Sequence, residues 1–357
     1  MSALGSVIAA VGLALAMPAA QAAGFVDVLA APAQISPLAS HSLLVAVTNA
    51  GKRLVAVGQR GHIVISDDSG ATWKQSPVPV SSDLTSAYFV DARQGWAAGH
   101  DGVILHTADG GDTWSIQLDG RKANDLLVAA MQRKAAAEPA TSEAAKSQLA
   151  EAKRYQAQGA DKPFLDVWFA DARQGYAVGA YNLIFRTDDG GVTWAPWFDR
   201  TDNPKFFNLY SIRPAARGLY VVGEGGLVLK LDSDAGRFRA VALPYNGSLF
   251  GVADAGDAVL VFGLRGSVFR SDDAGATWTR VDAGLFASAV ASARTSDGAT
   301  LLADAGGRIV RSVDGGRTFA PLTLTQTLPV AGIADAGDGK LALAGPRGVV
   351  VAAARAR

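Results

Sequence analysis

Residues 91–114 read DARQGWAAGHDGVILHTADGGDTW, and residues 171–194 read DARQGYAVGAYNLIFRTDDGGVTW. Both segments end in a box of the pattern S/T-x-D-x-G-x-T-W/F, and four further copies of this box, one of them degenerate, occur elsewhere. The fifth box position is occupied by Gly70, Gly111, Gly191, Gly236, Gly275 and Gly316. These glycines recur at intervals of about forty residues, with one doubled interval. The chain is therefore a tandem repeat.

One repeat predicts four short strands. In the second copy they are residues 84–90, 95–99, 103–107 and 114–118, with a Gly-x-x-Gly turn between the second and third. Four-stranded units repeated about every forty residues are typical of β-propeller blades. Seven copies of the turn divide the chain into blades at about 41–79, 82–118, 164–199, 206–243, 247–282, 286–323 and 329–355. The sequence thus predicts an all-β, seven-bladed propeller.

The boxes are predicted to be structural. The Asp of a box is suited to accept hydrogen bonds from nearby backbone N–H groups, and the Gly is suited to a positive φ. The terminal aromatic residue is expected to pack between adjacent blades. The residues concerned are Asp68, Trp73, Asp109, Trp114, Asp189, Trp194, Asp273, Trp278, Asp314 and Phe319.

The N-terminus carries an export pattern. An apolar run from Ala3 to Ala16 precedes the small-x-small motif Ala20-Gln21-Ala22, which predicts a signal peptide over residues 1–22. The alternative is a buried N-terminal helix. With cleavage, the mature chain 23–357 is periplasmic or secreted and has no membrane span. Residues 25–30 are expected to supply the missing outer strand of blade seven and so close the ring.

Residues 119–163 interrupt the repeat between blades two and three. Arg121 to Ala137 and Thr141 to Gln158 are rich in helix-forming residues, which predicts a helical hairpin. Leu126, Leu127 and Met131 form an apolar stripe on the first helix. The hairpin is either a solvated element that leans on the ring or a docking element for a partner.

Strand parity places the Gly-x-x-Gly turns and the insertion on one face, opposite the boxes. Equivalent turn positions carry Arg60, Tyr181, Arg265 and Arg347, which are the candidate partner-binding residues together with the apolar stripe. Three arginines at matched positions form a cationic rim suited to carboxylates of a partner. The alternative is three scattered, solvated arginines.

Composition excludes several classes of function. Lys and Arg number 33 and so do Asp and Glu, which argues against a nucleic-acid partner. The absence of Cys excludes disulfides, thiol nucleophiles and iron–sulfur sites. The four His are scattered without metal-ligand spacing, so neither a metal nor another cofactor is predicted.

The repeat at residues 91–114 and 171–194 resembles the photosystem II stability/assembly-factor propellers of the BNR/Asp-box superfamily. The resemblance covers nearly the whole mature chain apart from the insertion. It implies a non-enzymatic assembly or stability factor, monomeric alone, for a membrane-protein complex of the cell envelope. In bacteria without photosystems, similar proteins are associated with RND-type exporters.

The alternative is a sialidase-like glycoside hydrolase or a carbohydrate-binding propeller, because Asp boxes also occur in sialidases. Sialidase chemistry needs a Tyr activated by a Glu, but Glu224 is the one Glu outside the insertion and lies in a Gly-x-x-Gly turn. An Arg-Ile-Pro motif before the first box is also missing. We therefore predict that the chain is not an enzyme.

Overall fold

The computed structural model describes residues 26–216 and 218–354, which contain 27 strands and two α-helices. The strands of blades one to four are β1 (Leu44–Ala50), β2 (Arg53–Gly58), β3 (Ile63–Ser66), β4 (Lys74–Gln75); β5 (Leu84–Phe89), β6 (Gly95–Gly99), β7 (Ile104–Thr107), β8 (Ser115–Leu118); β9 (Phe164–Phe169), β10 (Gly175–Gly179), β11 (Ile184–Thr187), β12 (Ala195–Pro196); β13 (Leu209–Ala215), β14 (Gly218–Gly223), β15 (Val228–Asp232), β16 (Arg237–Ala240). Those of blades five to seven are β17 (Leu249–Asp254), β18 (Val259–Gly263), β19 (Val268–Ser271), β20 (Thr279–Val281); β21 (Ala289–Arg294), β22 (Thr300–Asp304), β23 (Ile309–Ser312), β24 (Ala320–Leu322); β25 (Gly332–Gly337), β26 (Lys340–Gly345), β27 (Gly348–Ala353).

Each blade is an antiparallel meander in chain order, and the seven-bladed propeller predicted from the repeat is confirmed. The second strand of a blade, such as β6 with the sequence GWAAG, is buried on both faces because a neighbouring blade covers each side. The core consists of seven apolar clusters, each joining two adjacent blades. Between blades two and three, for example, the ring of Trp96 stacks on Phe169 with their centroids 3.5 Å apart.

Blade seven has three strands rather than four, and the prediction that residues 25–30 complete it is wrong for the described residues 26–30. Residues 28–30 form a turn against the connection between blades one and two. There, Ser81 N–H donates to Val28 C=O and Ala33 N–H donates to Val78 C=O, both at 2.9 Å. Leu29 packs in the same apolar cluster, so the segment satisfies its backbone and its apolar side chain without joining a blade.

The ring closes by side-chain packing. Val47 and Leu54 of blade one share a cluster with Ala342 and Val349 of blade seven. The short 3-10 turn Ala39–His41 also lies against β27. No strand is exchanged between the two blades among the described residues.

The insertion is a helical hairpin, as predicted, with α1 at Gly120–Ala137 and α2 at Glu143–Gln158. Asp119 caps α1 by accepting the N–H groups of Arg121 and Lys122, and Ser142 caps α2 by accepting that of Ala145. Within the described ranges, no helix is long and apolar enough to cross a membrane. The predicted signal peptide at 1–22 lies outside the described residues.

Candidate protein-binding site

The turns between the second and third strands form one face of the ring, which we call the turn face. In five blades the turn is a single 3-10 turn, at Gln59–Gly61, His100–Gly102, Ala180–Asn182, Glu224–Gly226 and Leu264–Gly266. The central residue of each has a left-handed conformation, with φ between 54° and 63°. Arg60, Tyr181 and Arg265 occupy this strained position, so the fold holds their backbone in one conformation.

The hairpin lies on the turn face, as strand parity predicts. The Tyr155 hydroxyl on α2 donates to Tyr181 C=O in the blade-three turn at 2.9 Å. In the blade-two turn, a Cβ added to Gly102 would lie 2.5 Å from the Cα of Gly120, the first residue of α1. Only glycine permits this approach of the helix to the turn.

Arg60, Arg265 and Arg347 are all exposed on the turn face, on blades one, five and seven. The backbone N–H of Arg60 donates to Asp83 Oδ1 at 2.6 Å, and that of Arg265 donates to Ser288 Oγ at 3.3 Å. These hydrogen bonds hold the backbone of the two turns in place, and the arginine side chains remain exposed to solvent. None of the three guanidinium groups has a carboxylate within 4.0 Å in the described part of the chain.

A fourth arginine, Arg308, belongs to the same arc and was not predicted. It follows the blade-six turn, which reads Asp304-Ala305-Gly306-Gly307, and it too lacks a carboxylate partner among the described residues. Because it is one position beyond the second glycine, a comparison of equivalent turn positions does not include it. The sequence feature that could have pointed to Arg308 is the departure of this turn from the Gly-x-x-Gly pattern.

The four arginines occupy consecutive blades, five, six, seven and one, and we call them the arginine arc. On the other side of the ring, the blade-two turn carries Asp101 and the blade-four turn carries Glu224. The hairpin packs over blades two and three and leaves the arc uncovered. Arginines thus occur at or directly after the turns of blades five, six, seven and one, whereas the turns of blades two and four carry acidic residues, although the chain as a whole is neutral.

The apolar stripe of α1 is not available to a partner. Leu127 and Met131 are buried in the cluster that joins blades two and three, and Leu126 is half-buried against it. The prediction that this stripe docks a partner is therefore wrong for Leu127 and Met131. They attach the hairpin to the ring instead.

Tyr181 is also engaged by the hairpin, although its side chain remains 46% exposed. Its ring centroid lies 6.1 Å from that of Tyr155 and 6.0 Å from the Arg154 guanidinium. Burial and the nearby Glu151 raise the pKa of the Tyr155 phenol above its usual range, so this hydroxyl stays protonated and donates to the blade-three turn.

The boxes lie on the opposite face, and their carboxylates are internally bonded. Asp109 accepts from Thr107 Oγ1 at 2.7 Å, from Thr113 N–H at 2.9 Å and from Thr113 Oγ1 at 2.6 Å. The same three contacts recur at Asp68, Asp189, Asp273 and Asp314. The box aromatics pack in clusters shared with the preceding blade, as Trp114 does with Val55 and Ile65.

The central channel is a cavity of about 350 Å³ lined by the innermost strand of every blade. Two arginines in its lining are paired: Arg213 Nη1 donates to Asp166 Oδ2 at 2.7 Å, and Arg294 Nη1 donates to Asp254 Oδ2 at 2.8 Å. Asp335, which also lines the channel, accepts the backbone N–H groups of Ser296 and Gly337. The channel wall thus uses these charges to join neighbouring blades.

Glu224, the residue on which the alternative enzymatic interpretation depends, lies in the blade-four turn. Glu224 Oε2 accepts the N–H of Asn208 at 3.3 Å, which binds this carboxylate to the connection entering its own blade. Within residues 26–216 and 218–354, no three His, Asp or Glu side chains form a group that could hold a metal ion.

Comparison with known proteins identifies relatives along most of the chain. The family model described as photosynthesis system II assembly factor YCF48 matches residues 34–161 and 148–322. The photosystem II assembly lipoprotein Ycf48 of Synechococcus sp. (strain CC9902) is 31% identical over 119 residues, which are 32% of this chain and 35% of the relative. The chloroplastic photosystem II stability/assembly factor HCF136 of Arabidopsis thaliana is 22% identical over 257 residues, or 63% of each chain. The matches thus span about a third and just under two thirds of these relatives' lengths.

Solved structures share the fold at low sequence identity. YCF48 bound to a D1 peptide superposes with a TM-score of 0.60 at 14% identity, covering 89% of this chain and 95% of that one. YCF48 from Cyanidioschyzon merolae gives 0.59 at 17% identity, with 90% and 98% covered. A streptogramin B lyase gives 0.62 at 14% identity, with 88% and 95% covered. Binding proteins and an enzyme share this architecture, so the fold alone does not assign a function.

Proposed function

Because the chain belongs to the photosynthesis system II assembly factor YCF48 family, we propose that it is a non-enzymatic assembly or stability factor that binds protein. Its client is a membrane-protein complex of the cell envelope, with an RND-type exporter as the specific candidate. The predicted signal peptide at 1–22 supports a periplasmic or secreted location.

The observation that carries the proposal is the arginine arc. Arg60, Arg265, Arg308 and Arg347 lie on consecutive blades of one face, and their guanidinium groups have no carboxylate partner within residues 26–216 and 218–354. A guanidinium group binds a carboxylate through two parallel hydrogen bonds, which gives both affinity and orientation. We therefore propose that the client contributes an acidic segment in an extended conformation. The description of the related YCF48 as bound to a D1 peptide supports a peptide ligand within the family.

The test compares two double variants, each of which removes two positive charges. Arg265→Ala with Arg347→Ala removes half of the arc, whereas Arg93→Ala with Arg173→Ala removes two exposed arginines from the β5–β6 and β9–β10 loops on the box face. We expect the first variant to bind immobilised acidic peptides at least about tenfold more weakly than wild type, with a smaller salt dependence. The second variant should bind as wild type does.

Membranes of the native host provide the second readout. The wild-type protein and the box-face variant should co-purify with one envelope complex, and the Arg265/Arg347 variant should not. Equal recovery of that complex with both variants would exclude the arc as the contact site. Failure of the wild-type protein to bind acidic peptides at all would overturn the proposed mode of recognition.

A further inference from the structure

The turn between the second and third strands of blade six differs from the other six turns at its first residue. Where it has Asp304, the others have Gly58, Gly99, Gly179, Gly223, Gly263 and Gly345. In those blades a Cβ atom would lie 2.2–2.3 Å from a backbone oxygen of the connection entering the blade, so only glycine fits. Blade six therefore needs a different local arrangement to accommodate the Asp304 side chain.

The buried carboxylate of Asp304 organises that arrangement. Asp304 is only 2% exposed, and its side chain accepts hydrogen bonds from four backbone N–H groups. Its Oδ2 accepts from Phe286 and Ala287 at 3.2 Å, and its Oδ1 accepts from Gly306 and Arg308 at 3.0 Å. Both oxygens are thus used to hold the connection and the turn together, and the Asp304 carboxylate does not pair with the Arg308 guanidinium.

As a result, an aromatic ring lies at the surface beside an arginine that has no carboxylate partner in the described part of the chain. The Phe286 side chain is 80% exposed, and Arg308 Cζ lies 4.5 Å from the centroid of its ring. Arg308 Nε is buried and has no hydrogen-bond partner within the described ranges. This arginine therefore retains unused hydrogen-bond donors.

This pair borders an open cleft of about 450 Å³. Phe286 and Arg308 line it on one side, and Ile309, Leu322 and Leu324 provide aliphatic walls. Its size lies in the range of about 300–1,000 Å³ that is usual for ligand pockets. We call it the blade-six pocket.

Arginines of both neighbouring blades lie close to the pocket, and Asp304, the carboxylate in its lining, is occupied by four backbone N–H groups. Arg265 is in the blade-five turn, whose backbone bonds to Ser288, two residues from Phe286. Arg347 of blade seven lines a small adjacent cleft with Leu328 and Pro329, which follow Thr327 of the pocket wall. Two further arginines therefore flank the pocket on its neighbouring blades.

We propose that the blade-six pocket binds one bulky apolar side chain of an extended acidic peptide, while an adjacent carboxylate of that peptide pairs with Arg308. This inference rests on the proposed function and assigns it a specificity: an apolar residue between acidic residues. A lipid surface also attracts exposed Phe and Arg side chains, but it needs no aliphatic cleft beside them. The cleft therefore favours a peptide over a membrane.

The test uses fluorescein-labelled peptides Asp-Glu-X-Asp-Glu, with X as Leu, Phe, Ser or Gly, and the full chain in fluorescence anisotropy. We expect the Leu or Phe peptide to bind about tenfold or more tightly than the Ser and Gly peptides, because its side chain leaves water. Arg308→Gln should weaken binding of all four peptides. Phe286→Ala should reduce the preference for the apolar residue, and the exposed control Arg173→Gln should change nothing.

The possible outcomes separate the pocket from the arc. Equal binding of all four peptides, still weakened by Arg265→Ala with Arg347→Ala, would overturn the pocket and leave the proposed function intact. Binding of none of the peptides would overturn both. Binding to phosphatidylglycerol vesicles that is lost with Arg308→Gln, without a preference among the peptides, would identify a membrane contact and overturn the pocket.

Discussion

In each of the five regular Asp boxes, one carboxylate holds the turn together. Asp273 accepts from Ser271 Oγ at 2.7 Å, from Thr277 N–H at 2.8 Å and from Thr277 Oγ1 at 2.6 Å. The bonds from Thr277, with a further bond from Ser271, lower the pKa of this carboxyl to about 2. The pKa of a free Asp is about 3.9. Because the folded value is the lower one, this carboxylate stabilises the fold above pH about 4, and the contribution disappears as the pH falls through about 2.

We predict that Asp273→Asn lowers the thermal midpoint at pH 7 and that its difference from wild type narrows as the pH falls from about 4 to about 2. The narrowing occurs because wild type then protonates the carboxyl that the variant lacks. Circular dichroism melting curves at several pH values measure it. Asp257→Asn, at an exposed position without side-chain hydrogen bonds in the described part of the chain, serves as the control. A difference that stays constant down to pH 2 would contradict this explanation.

Trp96 provides a second prediction at this scale. Its fully buried ring stacks on Phe169, and its Nε1–H donates to Gly190 C=O in the box of the next blade at 3.2 Å. We predict that Trp96→Ala lowers the free energy of unfolding by about 3–5 kcal/mol, because it leaves a cavity between blades two and three. Urea denaturation measures the loss. Val192→Ala, at an exposed position of the same box, should have little effect, and a small loss for Trp96→Ala would mean that the junction repacks.

The helical hairpin illustrates what a sequence reveals about an element and what it does not. Pro139 and the Ala-, Glu- and Lys-rich segments on either side predict two helices, and the structure has them at nearly the same residues. The direction of the apolar stripe was not predictable, because the surface that covers Leu127 includes Phe164 and Phe198 of blade three. An apolar stripe is equally consistent with a partner and with the chain's own core until that surface is known.

We predict that Leu127→Ala lowers the free energy of unfolding by about 2–5 kcal/mol and increases hydrogen exchange in α1 and α2. Leu126→Ala, one residue away and half-buried, is the matched control and should cost clearly less. Hydrogen exchange followed by mass spectrometry resolves the hairpin from the blades. If both substitutions left stability unchanged and exchange in the hairpin unaffected, the stripe would have to be free for a partner after all.

The blades could be predicted from the sequence, whereas the arginine arc could be predicted only in part. Strand order and the Gly-x-x-Gly turns follow from local repetition, and Arg60, Arg265 and Arg347 were found because they occupy equivalent turn positions. Arg308 could not be predicted in this way, because Asp304 replaces the first glycine and alters the turn that precedes Arg308. Repetition thus predicts what blades share, whereas this candidate site depends on where one blade departs from the repeat.

At the scale of the whole ring, blade seven is the exception. It has three strands, and its junction with blade one consists of side chains that are mostly small, including Ala56, Ala334, Ala342 and Ala344. One direct polar contact is the donation of Asn49 Nδ2 to Asp335 C=O at 2.9 Å. The prediction that residues 25–30 supply the outer strand of blade seven assumes that ring closure requires one sheet built from both ends of the chain. Side-chain packing, including the partly buried Trp73 of the blade-one box, and this hydrogen bond close the ring instead.

We predict that the ring opens first between blades seven and one. Amides of β25–β27 should exchange hydrogen faster than those of β21–β23 under native conditions. Among the described residues, β27 has beside it only the isolated bridge between Leu324 and Ala354 in place of a fourth strand, and six of the eleven buried residues at its junction with blade one are alanines. Val349→Ala should accelerate exchange in β27 and in the facing strand β1 but not in β13–β15 of blade four, which is three blades away in either direction. Equal protection of blades six and seven, or acceleration spread evenly over all blades, would mean that the seven junctions open as one cooperative unit. Because this junction lies between Arg347 and Arg60, such opening would separate Arg60 from the rest of the arginine arc and make the arc's geometry depend on ring closure.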